Sequence, residues 1–163
     1  MVERMPSGQR LKLRWRSQGL KLPNGTTLAE ICRFESRYSV NLPSDFRDYL
    51  LHMNGMDEYP PDSHDRDGFS FWALGRIRTV AEESTSHQSG RDWGSFPGAD
   101  SLFIFADYLD WSWAYAIRLS AGDSERSLVY FIGMQDPVVI ADSFTDFVDL
   151  YLVDSPIIYG PPR

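Results

Sequence analysis

The clearest hydrophobic pattern in the chain lies between Leu42 and Met56. Apolar side chains recur there at the spacing of one helical face, namely at Phe46, Tyr49, Leu50 and Met53. Pro43 has the φ of a first helical residue, and Asn54-Gly55 suits a left-handed C-terminal cap because glycine tolerates positive φ. The pattern predicts a helix of about three turns with one face in the core and a structural Asn54-Gly55 pair at its end.

A second helix is predicted from Thr27 to about Tyr38. Thr27 is followed three residues later by Glu30, which is the pattern of a capping box. The helix would turn its apolar side chains toward the core; these are Leu28, Ile31, Phe34 and Tyr38.

The two ends of the chain also carry helical spacing. The segment SFTDFVDLYL predicts a closing helix with Asp142 or Ser143 as its N-cap. Its apolar face holds Phe144, Phe147, Val148 and Tyr151. The opening segment RLKLRWRSQGLKL permits two structures, a strand with alternating apolar residues or a short helix that joins Leu11 to Trp15, and we favour the helix.

Short apolar runs between the helices predict strands. They are FSFW, GRIRTV, SLFIFAD, WAYAIRLS, SLVYFIG and VVIAD. Polar or turn-rich stretches lie around them: MDEYPPDSHDRDG, TSHQSGRDWGSFPGAD and SAGDSER. Helices first, then strands, then a closing helix predict an α+β fold with a mainly antiparallel sheet, in a single domain of residues 1–163.

Composition adds an expected cellular setting. The single cysteine, Cys32, excludes an internal disulfide framework and favours a reducing compartment. The opening stretch MVERMPSGQR lacks the apolar segment of a secretory signal, and apolar runs such as LFIFA are too short to span a membrane. We therefore expect a soluble cytoplasmic protein that has no membrane partner.

Charge is distributed unevenly along the chain, whose net charge is −7. Residues 1–22 form a basic segment with six basic side chains against Glu3, whereas the remaining residues carry 10 basic and 22 acidic side chains. A domain this acidic repels nucleic acid and anionic membranes and attracts basic partners, although the same charge also keeps a small protein soluble. We expect no nucleic-acid binding and a basic protein partner.

Motifs that carry chemistry are weak in this sequence. The loop from Asp62 to Gly68 resembles a calcium loop only in part, because its first position would be Ser63 and its last would be Leu74, where a glutamate is required. The three histidines and the cysteine lack zinc-ligand spacing, and there is no nucleophile elbow or phosphate-binding loop. We predict no metal, no cofactor and no catalytic residues, and an enzyme is the least favoured alternative.

The helical pattern and the strands after it resemble the SUKH superfamily, which includes the yeast Smi/Knr cell-wall regulators and many bacterial toxin-immunity proteins. The resemblance rests first on a motif of Glu35, Leu42, Pro43, Phe46, Tyr49, Leu50, Asn54 and Gly55. FIFADYLDWSWAYAIRL and VVIADSFTDFVDLYL add a similar strand–turn–strand unit and a similar closing strand and helix. The resemblance covers roughly residues 27–153. It implies helices packed on a curved sheet, motif residues that serve as scaffold, and a function by binding rather than by chemistry.

Acidic side chains interleaved with aromatic ones are the best candidates for partner contact. The first group consists of Asp57, Glu58 and Tyr59. The second consists of Asp107, Tyr108, Asp110 and Trp111, with Trp113 beside them. Tyrosine and tryptophan are favoured interface anchors, and flanking carboxylates steer a basic partner toward them. The alternative is structural: Trp111 or Trp113 would pack into the core and Asp107 would cap a tight turn.

Together, the residues and the resemblance predict a non-enzymatic protein-binding domain. The leading hypothesis is an immunity protein that neutralises a cognate basic toxin domain, with a nuclease as one candidate, because an acidic surface suits a basic nucleic-acid-binding cleft. The alternative is a regulatory scaffold of the Smi/Knr type that binds cellular partners.

Overall fold

The structure, a computed structural model, describes residues 4–86, 96–122 and 127–160. Its helices are α1 (Ser7–Ser17), α2 (Leu28–Tyr38), α3 (Ser44–His52), α4 (Val80–Ser86) and α5 (Phe144–Leu152), followed by a 3₁₀ turn (Pro156–Tyr159). Its strands are β1 (Phe69–Phe71), β2 (Arg78–Thr79), β3 (Leu102–Tyr108), β4 (Trp113–Arg118), β5 (Val129–Ile132) and β6 (Val138–Ala141). The strands fall within the predicted runs, except that β3 extends one residue further, to Tyr108, and the opening segment is the helix that we favoured. Helix α4 was not predicted.

The strands form one antiparallel sheet. Its order is β1-β3-β4-β5-β6, and β2 also pairs with β3, at Ile104 and Phe103. Among the described residues, all five strand pairings are antiparallel. This confirms an α+β fold with an antiparallel sheet.

Strand direction brings three connections to one end of the sheet. Phe69 at the start of β1 lies opposite Tyr108 at the end of β3, and Tyr108 pairs with Trp113 at the start of β4. The end of β5 lies beside the start of β4, and Phe131 of β5 pairs with Val138 at the start of β6. Because neighbouring strands run antiparallel, the loop before β1, the β3–β4 turn and the β5–β6 turn share this end. We call it the turn end of the sheet.

The core lies where α1, α3 and α5 pack against each other and against the sheet. The ring of Phe105 in β3 is centred 5.8 Å from that of Phe46 and 5.2 Å from that of Phe147. Trp15 of α1 is fully buried, with its ring 4.8 Å from that of Phe71. The apolar stripes of α3 and α5 are thus buried in the core, as their helical spacing predicts.

Glu35 fixes the connection between α2 and α3. Its carboxylate accepts a hydrogen bond from the backbone N–H of Leu42 at 2.8 Å. It also pairs with the guanidinium of Arg47 at 2.9 Å. A single acidic side chain at the end of α2 therefore holds the first residues and the first turn of α3, which gives Glu35 and Leu42 a structural role.

Helix α3 ends differently from the prediction. Pro43 is an extended N-cap rather than the first helical residue, and the helix stops at His52 because Met53 is also extended. The prediction that Asn54-Gly55 caps this helix is therefore wrong.

Asn54 and Gly55 nevertheless occupy a demanding position. Gly55 has the expected positive φ, 69°. The Oδ1 atom of Asn54 accepts a hydrogen bond from the N–H of Leu74 at 2.7 Å. The pair therefore joins the end of α3 to the segment that follows β1, rather than closing the helix itself.

The start of α2 follows the sequence signal. The Thr27 hydroxyl accepts a hydrogen bond from the N–H of Glu30 at 3.2 Å, so the predicted N-cap is confirmed. Ile31 and Phe34 are buried, but Leu28 is 62% exposed. Its predicted burial is wrong, because the first turn projects beyond the core before the helix reaches it.

The start of α5 resolves an alternative that the sequence left open. Ser143, and not Asp142, caps the helix, since its side chain accepts a hydrogen bond from the N–H of Asp146 at 3.0 Å. The apolar stripe is buried along its whole length, at Phe144, Phe147, Val148 and Tyr151.

The hydroxyl of Tyr49 yields a stability prediction. Tyr49 is buried, and its hydroxyl has no hydrogen-bond partner among the described residues. An unpaired buried hydroxyl costs about 1–3 kcal/mol. We therefore expect Tyr49→Phe to leave the free energy of unfolding in urea unchanged or to raise it by about 1 kcal/mol. The matched control is Tyr151→Phe, which removes a hydroxyl that is hydrogen-bonded and should be destabilising; a comparable loss in Tyr49→Phe would contradict the prediction.

Candidate functional site

The structure brings the two predicted groups of acidic and aromatic residues together. Asp57, Glu58 and Tyr59 are all exposed, and the side chain of Tyr59 is 69% exposed. A cleft of about 340 Å³ is lined both by Glu58 and by residues 109–111. Glu58 of the first group therefore shares one concave surface with Asp107, Asp110 and Trp111 of the second, beside the turn end of the sheet, whereas Tyr59 lines neither cleft.

A second cleft adjoins the first. It has a volume of about 590 Å³ and is lined by Asp57 and, like the first cleft, by Glu58. Arg76 lines both clefts, as Glu58 does, so it stands between them. Three arginines line the larger cleft, namely Arg37, Arg76 and Arg78.

Arg76 is a site residue that the sequence analysis missed. Its Nη2 lies 3.8 Å from Oδ2 of Asp107, and its guanidinium carbon lies 3.9 Å from the centroid of the Trp72 ring. Burial lowers the pKa of Arg76, and the charge of Asp107 opposes that effect. No local sequence pattern marks Arg76, because its neighbours are brought to it by the pairing of β1 with β3.

Asp107 requires a correction, because it is only 3% exposed. Its Oδ2 accepts a hydrogen bond from the indole N–H of Trp72 at 2.7 Å. Its Oδ1 accepts one from the backbone N–H of Trp111 at 3.4 Å. Burial raises its pKa, and the bond from Trp72 opposes that rise. A buried and bonded carboxylate makes a poor steering charge, so Asp107 holds the turn that follows it, as the structural alternative expected.

The β3–β4 turn has an unusual backbone. Leu109, Asp110 and Trp111 have φ values of 45°, 48° and 73°, all in the left-handed region that non-glycine residues seldom adopt. Each such residue lowers the stability of the fold by roughly 1 kcal/mol, so surrounding contacts must hold its backbone in this conformation. Besides the bond from Trp111 to Asp107, the N–H of Leu109 donates to the Gly68 carbonyl at 3.0 Å.

This backbone decides what the turn exposes. Asp110 is exposed, and Leu109 is 54% exposed. Trp111 is half-buried, with its ring 5.2 Å from that of Trp72. Trp111 is thus neither a core residue nor a free side chain, and its role as an interface anchor stays a prediction.

Tyr108 and Trp113 belong to the sheet beside this turn. Both are half-buried, and their rings stack at a centroid distance of 4.4 Å. The indole N–H of Trp113 donates to the hydroxyl of Tyr115 at 2.8 Å. Each residue therefore has a structural partner and also leaves part of its ring accessible.

The loop that resembled a calcium site is organised differently. Asp65 is buried, and its carboxylate accepts hydrogen bonds from the N–H groups of Asp67 and Phe69, both at 2.9 Å, and from the hydroxyl of Tyr151. In the described part of the chain, no three side chains of the metal-binding types cluster. His87 and parts of the TSHQSGRDWGSFPGAD and SAGDSER stretches lie outside the described residues.

Within the described ranges, no helix is both long enough and apolar enough to cross a membrane.

Comparison with known proteins gives one family. The protein-family model described as "SMI1 / KNR4 family (SUKH-1)" matches residues 25–150, which is most of the chain and includes both acidic loops. Helix α1 lies before the matched region. No curated protein sequence matches the chain.

Proposed function

Because the chain belongs to the SMI1/KNR4 family (SUKH-1), we propose that it acts by binding another protein and that it is an immunity protein for a basic toxin domain. The observation that carries this proposal is the pair of exposed acidic and aromatic segments around two adjoining clefts. We propose no catalytic role for either cleft.

Charge at the smaller cleft supports a basic partner. Glu58 and Asp110 are exposed and line this cleft, where Arg76 is the one arginine or lysine among the described lining residues. Asp57 is exposed and lines the larger cleft, whose three arginines offset its charge, and the net charge of the chain is −7. A patch of one sign accelerates encounters with a patch of the opposite sign and disfavours partners of the same sign. A toxin that acts on nucleic acid needs a basic cleft, which such a surface would occlude.

Tyr59 and Trp111 supply the anchors of the proposed interface. Large amphipathic rings beside a cleft bury much area with few rotatable bonds, which is why such residues dominate binding energy. The strained turn holds Trp111 in place before any partner arrives. A preorganised anchor loses less conformational freedom on binding.

The experiment uses the toxin domain encoded next to the gene for this chain. Co-expression of the chain is expected to restore growth of cells that express the toxin domain. Binding without restored growth, or a neighbouring gene that encodes no toxin, would favour the regulatory scaffold instead. A toxin domain that neither binds the chain nor is neutralised by it would contradict the proposal.

Neutralising the exposed acids should slow association with this toxin domain. We expect the triple variant Asp57→Asn, Glu58→Gln, Asp110→Asn to reduce the association rate constant about tenfold at low salt and to weaken its salt dependence. Its melting temperature should hardly change, because the three carboxylates are exposed. Biolayer interferometry over a range of salt concentrations provides the measurement.

The matched control neutralises three exposed aspartates that line neither cleft, through Asp48→Asn, Asp100→Asn and Asp142→Asn. It makes the same change in net charge. If both triple variants slow association equally, net charge rather than this surface steers the partner.

A further inference from the structure

The β5–β6 turn lies at the same end of the sheet as the two acidic loops. This turn connects Ile132 to Val138 and contains Met134, whose side chain is 79% exposed. No sequence pattern marks this turn as functional. Its position follows from the antiparallel order of the sheet, in which the end of β5 lies beside the start of β4.

Exposed apolar side chains concentrate at this end. Tyr59 lies in the loop before β1, Leu109 in the β3–β4 turn, Met134 in the β5–β6 turn, and Val138 at the start of β6; all are exposed large apolar residues. Scattered single apolar residues are ordinary on a surface, but several on adjacent connections indicate an interaction surface.

A row of aromatic rings connects the turns physically. Tyr108 stacks on Trp113 at 4.4 Å, and the Trp113 ring lies 5.6 Å from the Phe131 ring. The Phe131 ring in turn lies over Gly133, where a Cβ atom would come within 2.7 Å of it. All three aromatic residues are half-buried. The surface between the β3–β4 and β5–β6 turns is therefore aromatic and partly accessible.

We propose that the β5–β6 turn and this aromatic row extend the interface, so that the partner is a protein whose contact face has an apolar centre surrounded by lysine and arginine. This inference rests on the proposed function, because the two acidic loops form the rest of the same surface.

Charge favours a basic protein partner at this surface over a second copy of the chain. Asp57, Glu58, Asp110 and Asp136 are exposed on the same three connections as the apolar residues, where one described arginine, Arg66 in the loop before β1, is also exposed. No lysine or arginine occurs between Ser127 and Pro162, which includes β5 and β6. Two copies joined through this face would oppose like charges, whereas a basic partner would neutralise them.

The first arm of the test measures the affinity of the toxin domain for Met134→Ser. We expect about a tenfold loss of affinity, mostly through faster dissociation, because an apolar contact is removed without a change of charge. The matched control is Leu28→Ser, which truncates an exposed leucine of α2 and should leave affinity unchanged. Equal affinities of wild type and Met134→Ser would overturn the extended interface while leaving the proposed function intact.

The second arm does not need the toxin. A short synthetic peptide of alternating leucine and lysine is titrated into the isotopically labelled chain, and backbone amide shifts are followed by NMR. We expect shifts at Tyr59, Leu109 and Met134, and weaker binding by Met134→Ser. These shifts without toxin binding would support the surface and contradict the proposed function. Shifts elsewhere, no shifts, or a dimer that Met134→Ser dissociates would overturn the inference.

Discussion

Gly55→Ala is expected to lower the free energy of unfolding by about 3 kcal/mol. Gly55 has a φ of 69°, where an L side chain is strained. A Cβ atom there would also lie 2.6 Å from the carbonyl carbon of Trp72 and 2.7 Å from the nitrogen of Ala73. Both obstacles are backbone atoms next to β1, so they cannot move aside as a side chain would. The substitution must therefore shift the connection between α3 and the sheet.

Two other glycines separate the effect of positive φ from the effect of close backbone atoms. Gly19 has a φ of 83° but open space around its Cβ position, and Gly75 has neither the positive φ nor a close neighbour. We expect Gly19→Ala to cost about 1 kcal/mol and Gly75→Ala to be nearly neutral in urea unfolding. If Gly55→Ala and Gly19→Ala lower the free energy of unfolding equally, backbone strain alone explains the loss, and the contact of the added Cβ atom with Trp72 and Ala73 does not contribute.

The helices could be predicted where the signal is local. Apolar side chains at helical spacing mark α3 and α5, and Thr27 with Glu30 marks the start of α2. The same kind of signal was present for α4 and was missed. The Thr79 hydroxyl accepts a hydrogen bond from the N–H of Glu82 at 3.1 Å, and the Glu82 carboxylate accepts one from the N–H of Thr79 at 2.9 Å. That reciprocal capping box is written in the sequence as threonine followed by glutamate three residues later.

The end of α3 could not be predicted in the same way. Asn54-Gly55 has the composition of a helix cap, but its conformation is set by long-range contacts with Leu74 and Trp72. Tertiary contacts of this kind override local preference.

The site could be predicted only where exposure follows from composition. The polar, proline-rich loop places Asp57 and Glu58 in solvent, as such loops usually do. Asp107 lies in β3, most of which is buried on both faces, so alternation along the strand does not indicate its direction. Arg76 and Met134 join the surface only through strand pairing, which relates residues far apart in sequence. Their contribution required the structure.

Asp65→Ala is expected to lower the free energy of unfolding by about 3 kcal/mol or more. The Asp65 carboxylate accepts a hydrogen bond from the hydroxyl of Tyr151. The oxygen of that hydroxyl accepts a second hydrogen bond, from the indole N–H of Trp15, at 2.8 Å. This network ties α1 and α5 to the loop before β1. Removing the carboxylate also takes the acceptor from the buried N–H of Phe69 and from the part-buried N–H of Asp67. The control is Asp67→Ala, which removes an exposed carboxylate from the same loop and should be nearly neutral.

The pH dependence of this cost tests the environment of Asp65. Burial raises the pKa of Asp65 above its ordinary value, and hydrogen bonds from Tyr151 and the two amides only partly oppose that rise. Between the ordinary and the raised pKa, the folded protein therefore binds more protons at Asp65 than the unfolded chain does. The stability that Asp65 contributes is complete below the ordinary pKa and declines as the pH rises through the raised one. The difference in unfolding free energy between wild type and Asp65→Ala should thus shrink from acidic to neutral pH, since other titrating groups cancel in it. Urea unfolding across that range measures the difference. A difference that grows with pH would mean that the hydrogen bonds outweigh burial and hold the pKa of Asp65 below its ordinary value.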